Sequence, residues 1–390
     1  MSVKIIKLLR SRTILYFVVV TLMPILLVQC DLFNFGGGKT SPPPEPKPIH
    51  KISIPYNWNG DLLVYAHGFV EPRDDLAIPH DTIDGVALSS LVEKNGLAYA
   101  TTSYPHTGLN GPEAVADLDS LVSQFENANG QPNHIYLAGV SEGGFITTMA
   151  IEQHPQIYDA GIAACGPIGN FEKQLNYFGN FHVLFHYFFP DVQIGSPIGV
   201  SDQTIEQWES GDLQDEIKSL IESHPDKART LLKVANVPVK DLQDIEEVKT
   251  AILGILRHNV LSTNDAIRRL GGEPFQNTPF DNSSIKYTGT GSSSEDSKLN
   301  QNVERFQADP DLLAVINTNF HTTGQLSRPL IAPYTIYDPI VPEWQDSIYK
   351  SKADPRNLFK EVPMDKFGHC KFTTQELTDI LKNLITGKGS

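Results

Sequence analysis

The fold class expected from the sequence is α/β: a doubly wound, mostly parallel sheet, interrupted once by a long helical insertion. Three observations carry this expectation. Apolar runs of strand length alternate with helix-like segments over most of the 390 residues. Several runs, such as LLVYA, IYLAGV and GIAAC, are apolar on both faces, as strands covered by helices on both sides are. The alternation then lapses from about Gly166 to Ser327, where an aromatic run and charged helical stretches replace it.

Composition agrees with one large domain carrying an insertion. Hydrophobic residues make up 40% of the chain and charged residues 20%, which excludes global disorder and fibrous classes. The chain carries 31 Lys+Arg against 46 Asp+Glu, a net charge of −15. Four of the basic residues (Lys4, Lys7, Arg10 and Arg12) sit in the first 30 residues, which hold no acid. The remaining body has 27 bases against 46 acids, or −19. A body this acidic repels phosphate backbones and anionic membrane surfaces, so nucleic acid is excluded as a partner. Three cysteines are too few for a disulfide scaffold.

The elements follow in chain order. Residues 1–29 have the proportions of an export signal: a basic start, then the apolar run TILYFVVVTLMPILLV. That run is short for a membrane-spanning helix, which needs about 20 residues, and Pro24 interrupts it. Leu27-Val28-Gln29-Cys30 resembles a bacterial lipobox, in which the signal is cut before a cysteine that becomes lipidated. Leu27 and Val28 fit; Gln29 stands where a small residue is usual. The resemblance implies a mature chain starting at Cys30, anchored to the cell envelope through lipid. A plain cleaved signal and an uncleaved anchor are the alternatives. Residues 30–49 are rich in Gly and Pro and form a tether that does not pack.

Beyond the tether, strands are expected at Lys51–Pro55, Asp61–Ala66, Leu97–Tyr104, His134–Val140, Asp159–Cys165, Leu330–Tyr337 and Asn357–Val362. Helices are expected at Asp84–Lys94, Gly111–Asn127, Gly143–His154, Val341–Lys352 and Thr373–Leu384. The core is thus divided into 50–167 and 328–390, with a helical block over 168–327 between them. Within that block the polar stretch TGTGSSSEDS at 288–297 reads as a mobile loop.

One motif carries chemistry. Gly139-Val140-Ser141-Glu142-Gly143-Gly144 fits G-x-S-x-G, with a strand before it and a helix after it. A sharp strand-to-helix turn lifts Ser141 Oγ above the sheet edge. There the helix N-terminus favours a developing anion. The bland alternative is a serine in a glycine-rich turn; a phosphate loop lacks its Lys here. A nucleophilic serine needs a base, and the base needs an orienting acid. His369 lies in a loop between the last strand and the last helix, and Asp338 ends the strand Leu330–Tyr337. The order Ser141, Asp338, His369 is the one α/β-hydrolases use.

The segments YDPIVP and GHC, about thirty residues apart, look like the acid and histidine loops of α/β-hydrolase esterases, lipases and prolyl-oligopeptidase-type peptidases. Tyr65-Ala66-His67-Gly68-Phe69 resembles that family's oxyanion loop. The resemblance covers about residues 50–167 and 328–388. It implies catalysis by Ser141, Asp338 and His369, with backbone N–H groups of Phe69 and Glu142 holding the oxyanion. It implies no cofactor and no metal. The helical block loosely resembles a lid. The implied substrate is a small-molecule or lipid-like carboxylic ester. The alternatives are a peptide or amide, and a catalytically silent binding protein on the same scaffold. A prolyl-oligopeptidase relative usually carries a propeller before the sheet, which favours the ester here.

Other residues compete for roles. His67 shapes the oxyanion loop rather than serving as base. His106 either lines the pocket or is a plain loop residue. His182 and His186, four apart, share a helix face and offer two metal ligands without a third; the bland reading places them in an aromatic face. Asp346 and Asp354 are reserve acids for Asp338. The dense aromatics from Phe171 to Phe189 are expected to be mostly core, with a few facing the pocket. Cys165 and Cys370 are expected near the same sheet edge, so a disulfide is possible in an oxidising compartment.

Overall fold

The computed structural model describes residues 47–278, 284–353 and 358–387. The signal segment, Cys30, most of the tether and Asp354 lie outside the described residues.

Among the described residues the chain forms β1 His50–Ser53, β2 Leu62–Ala66, a short hairpin of β3 Thr82–Ile83 and β4 Val86–Ala87, then α1 Leu88–Lys94 and β5 Ala98–Thr102. It continues with α2 Pro112–Asn129, β6 Ile135–Val140, α3 Glu142–Gln153 and β7 Ala160–Ala164. The insertion follows: α4 Phe171–Phe188, α5 Asp202–Glu209, α6 Asp212–Ser223, α7 Pro225–Val234, α8 Ile245–Leu270, α9 Ser293–Asn302 and α10 Pro310–Asn319. The chain returns through β8 Leu330–Tyr337, α11 Trp344–Lys352, β9 Phe359–Phe367 and α12 Thr374–Ile385.

Seven strands form one sheet in the order β1-β5-β2-β6-β7-β8-β9, parallel throughout except for β1 against β5. The period-2 geometry of a strand divides each run between two helical layers. Leu62, Val64 and Ala66 of β2 pack with α2 and α3 residues such as Leu118 and Phe145. Leu63 and Tyr65 face the other way, toward Val92 of α1 and Ile380 and Leu384 of α12. That two-sided burial is why these runs read as continuously apolar, and the fold class is the one expected.

The sheet order also locates the site. After β2 the chain builds β5 on one flank, then crosses to β6 on the other, so strand order reverses between β2 and β6. Ligands in open α/β sheets bind at such a reversal, outside the carboxyl ends of the strands. The loop His67–Phe69 leaves β2 there, and Ser141 leaves β6.

Two expectations need correction. The segment Asp84–Lys94 is not one helix: Asp84 and Gly85, both at positive φ (49° and 74°), make the two-residue turn of the β3–β4 hairpin, and α1 starts only at Leu88. Asp-Gly is a preferred pair for that turn. The stretch 288–297 is not a simple loop. Ser292 caps α9 by accepting from the Glu295 N–H, and Asp296 accepts from the Gly289 and Thr290 N–H groups and the Thr290 hydroxyl. Ser, Asp and Glu at these positions favour a helix start as much as a loop.

The insertion has its own apolar core, including Phe181, Phe185, Ile217, Leu231, Ile252 and Ile255. Ile340 and Val341, in the loop after β8, belong to the same cluster. The block is therefore packed onto the loop that carries Asp338. Two helix α4 side chains hold that loop: Tyr177 Oη donates to Pro339 O at 2.7 Å and Gln174 Nε2 donates to Ile340 O at 2.8 Å.

Candidate active site

The turn after β6 is built by close backbone approach. A Cβ on Gly139 would stand 2.1 Å from Gly143 O, and one on Gly143 would stand 2.0 Å from Ala66 O. Only glycine fits either place. Ser141 between them has φ 54° and ψ −122°, a region that side chains avoid and that the surrounding structure must enforce. Its N–H donates to Ala164 O of β7 at 2.9 Å, which fixes the turn against the neighbouring strand. The turn opens directly into α3, whose dipole end faces the serine.

Asp338 follows β8 and is wholly buried. Its Oδ1 accepts from the Ile340 N–H at 2.8 Å and the Val341 N–H at 3.0 Å, which leaves Oδ2 free to face a partner. That partner is His369. Gly368 holds φ 103°, donates its N–H to Tyr337 O at 3.0 Å, and accepts from the Thr335 hydroxyl at 2.6 Å. These bonds pin the turn after β9 onto the end of β8. A Cys165–Cys370 disulfide, with Cα atoms 5.6 Å apart, ties the same turn to the end of β7.

The structure brings the three expected residues together. His369 Nδ1 lies 2.7 Å from Asp338 Oδ2, and His369 Nε2 lies 2.8 Å from Ser141 Oγ. With Nδ1 carrying the proton toward the carboxylate, Nε2 accepts from the serine hydroxyl. Both Phe69 and Glu142 border the same cavity as Ser141. A Cβ on Gly68 would be 3.4 Å from Ser141 Cβ, so the loop after β2 runs beside the serine. Among the described residues no acceptor takes the Phe69 or Glu142 backbone N–H. The arrangement supplies an aligned hydroxyl, an acceptor for its proton, a buried carboxylate behind the acceptor, and two uncommitted N–H groups.

The Glu142 side chain is a feature that the motif did not disclose. It is buried; Oε1 accepts from the Asn110 N–H at 3.0 Å and Oε2 has no partner among the described residues. Burial pushes its pKa up to about 8, reinforced by Asp265 and Glu113 and opposed by the Asn110 N–H. The carboxyl beside Ser141 is therefore mostly neutral at pH 7.

The cavity encloses about 930 Å³ with its open mouth included. The core contributes Phe69, Leu109 and Ile340; the insertion contributes Phe171, Phe178 and Phe275 among others. Most other aromatics of α4, such as Phe181 and Phe185, pack inside the insertion instead.

The remaining candidates fall elsewhere. His67 is buried with Nδ1 2.6 Å from Gly68 O, and its ring lies 3.9 Å from that of Tyr104. Burial lowers its pKa, keeping it neutral within the loop. His106 pairs with Glu113 at 3.2 Å and does not border the cavity. His182 is buried beside Gly195 O at 3.0 Å, while His186 faces Glu304 at 3.5 Å. Asp346 is buried on α11, with Oδ2 unpartnered among the described residues; burial and then Glu361 hold its pKa well above the usual carboxylate range, and it makes no bond to His369. Sequence reasoning did not single out His258 and Ser262 of α8, both of which border the cavity. Their four-residue spacing was the available signal, but it recurs throughout a long helix.

No protein-family model matches the chain, and no curated protein matches it. Among solved structures, the chain is similar to feruloyl esterase B from Aspergillus oryzae (TM-score 0.44, 15% identity, 85% of this chain and 73% of that one). It is also similar to an esterase of Pyrococcus furiosus (0.42, 9%, 87% and 91%). A third is an acylaminoacyl peptidase of Pyrococcus horikoshii (0.41, 10%), where the match spans 87% of this chain and 42% of that one.

Proposed function

We propose that this protein is a serine hydrolase of the α/β-hydrolase type that cleaves carboxylic esters through an acyl-enzyme. The observation that carries the reading is the unbroken chain from Ser141 Oγ through His369 to the buried, fully bonded Asp338. In the first half-reaction His369 Nε2 takes the Ser141 proton as Oγ bonds to the ester carbonyl carbon. The carbonyl oxygen becomes an anion held by the Phe69 and Glu142 N–H groups. Collapse breaks the bond to the alcohol, which leaves with the proton from His369. Water then repeats the sequence on the acyl-serine and releases the acid. Asp338 keeps the imidazole in the required tautomer and stabilises its cation. Losing one oxyanion donor typically costs ~10²–10³ in rate.

The helical insertion serves in this reading as a lid whose aromatic side chains wall the acyl or alcohol group. Residues 1–29 direct export, and lipidation of Cys30 anchors the mature chain; no helix among the described residues is long and apolar enough to cross a membrane. Reaction with a fluorophosphonate, followed by turnover of p-nitrophenyl esters and peptide anilides, tests the activity. Ester turnover without anilide turnover is expected; the reverse would make the protein a peptidase. Mass spectrometry of the N-terminal peptide tests the anchor, and an unmodified Cys30 in the mature protein would remove it.

A further inference from the structure

The polar side chains that border the cavity differ in whether they are already bonded. Gln174 Nε2 donates to Ile340 O, Asn259 Nδ2 donates to Ile255 O, and the Thr263 hydroxyl donates to Asn259 O. Their donors are turned back to backbone carbonyls, and Gln174 Oε1 accepts from Gln345 Nε2. Ser262 and His258 are different. The Ser262 Oγ is shielded from solvent and has no partner among the described residues, although a helical serine can bond the carbonyl four residues back. Neither ring nitrogen of His258 has a hydrogen-bond partner among the described residues. The His258 ring is held by aromatic contacts instead, stacked on Phe178 at 5.1 Å and 14° and set edgewise to Phe69 at 6.0 Å. The two residues lie one turn apart on α8 and border the same cavity as Ser141.

Their chemistry restricts what they can receive. Burial lowers the His258 pKa to about 3, with Arg257 and His369 acting in the same direction, so the imidazole is neutral. A neutral imidazole offers one N–H donor and one nitrogen acceptor; a serine hydroxyl offers one donor and two lone pairs. Among the described residues no Lys or Arg borders the cavity, so a carboxylate or phosphate would enter it without a counter-charge from them. A hydroxyl, which both donates and accepts, completes the pair.

We propose that His258 and Ser262 form a polar subsite that selects esters whose apolar group carries a hydroxyl. The proposal rests on the serine-hydrolase reading only for the place of the ester bond. Apart from Gln174, Asn259 and Thr263, and the Glu142 carboxyl beside Ser141, the remaining walls are apolar and aromatic, so a hydroxyl is the polar group that the His258–Ser262 part of the cavity asks of the substrate. Sites built to hydrogen-bond a substrate hydroxyl discriminate strongly against analogues lacking it, because their own polar groups are then left unpaired.

Binding to the Ser141→Ala protein tests the subsite without requiring turnover. The probes are methyl esters of ω-hydroxy acids and acetates of ω-hydroxy alcohols, each in graded chain lengths, beside parents lacking the hydroxyl. Calorimetry should find, at one chain length in one of the two series, about tenfold tighter binding of the hydroxylated probe. Adding Ser262→Ala or His258→Phe should bring that ratio toward one, while Ser262→Thr, which retains the hydroxyl, should preserve it. No preference at any length in either series would overturn the proposal, as would a preference that survives Ser262→Ala and His258→Phe together. Failure of the wild-type protein to react with a fluorophosphonate would strike the hydrolase reading instead, and leave the binding ratio to judge the subsite.

Discussion

Replacing Glu142 by Gln should stabilise the protein at neutral and alkaline pH, and the size of the effect follows from the site. The carboxyl is buried, with the Asn110 N–H on one oxygen and, among the described residues, no partner on the other. Its pKa rises from 4.5 to about 8 on folding, chiefly through desolvation. The folded state thus keeps a proton that the unfolded chain has released. The sign follows directly. Stability from this group is complete below the unfolded value, declines as pH rises above 4.5, and reaches its floor once pH passes about 8. At roughly 1.4 kcal/mol per unit, the cost at pH 7 is about 3 kcal/mol, and near pH 9 it is ~5 kcal/mol. Gln keeps the acceptor for Asn110 and never ionises. Over the folded unit Glu45–Ser390, with unfolding entropy near 2.1 cal/mol/K per residue, ~3 kcal/mol is about 4 °C in Tm. Thermal unfolding of both proteins across pH 5 to 9 is the assay. The Tm gap should be small near pH 5 and should widen as pH rises. Ester turnover should also fall on the alkaline side in the wild type, where ionised Glu142 opposes the oxyanion, and Gln should flatten that limb. A Tm gap that is constant with pH would refute the reasoning.

Further outcomes follow from other contacts. Reducing Cys165–Cys370, or changing Cys165 to Ser, should lower Tm and slow turnover together. The bridge closes a loop of sequence separation 205, for which chain entropy predicts about 5 kcal/mol, and it holds the His369 turn. Equal turnover with and without reductant would separate the bridge from the site. Gly143→Ala should yield little folded protein, because the new Cβ would meet the Ala66 carbonyl at 2.0 Å. A soluble variant with wild-type Tm would contradict that geometry. Asp338→Asn should retain more activity than Ser141→Ala, losing ~10⁴-fold against ~10⁶-fold, since the acid orients rather than bonds. Steady-state kinetics on one ester decides the ranking.

The parts of the site that could be read from the sequence are those built by backbone geometry. Gly139 and Gly143 mark the turn because no side chain fits there, and a glycine pair around a serine is visible in a bare sequence. Strand β8 was legible because an apolar run ends at Asp338-Pro339. Long-range pairing was less legible. The placement of Cys165 and Cys370 at one sheet edge could be read, but their bonding depends on the turn geometry, which only the folded chain supplies. The insertion hid more. In α8 the same helical spacing serves both the internal core, through Ile252 and Ile255, and the cavity wall, through His258 and Ser262. Periodicity marks a helix but not which of its faces looks into a pocket. The Asp84-Gly85 hairpin was lost for a related reason: the helical pattern of α1 extends backward across a turn that only the Asp-Gly pair betrays.

The central claim is that Ser141 is a nucleophile activated by His369. Labelling by a fluorophosphonate, followed by intact-protein mass spectrometry, tests it most directly. Wild-type protein should gain one phosphonyl group, carried on Ser141. Ser141→Ala should gain none, and His369→Ala should label slower by orders of magnitude while keeping its wild-type Tm. Labelling of Ser141→Ala at the wild-type rate, or of His369→Ala as fast as the wild type, would contradict the account.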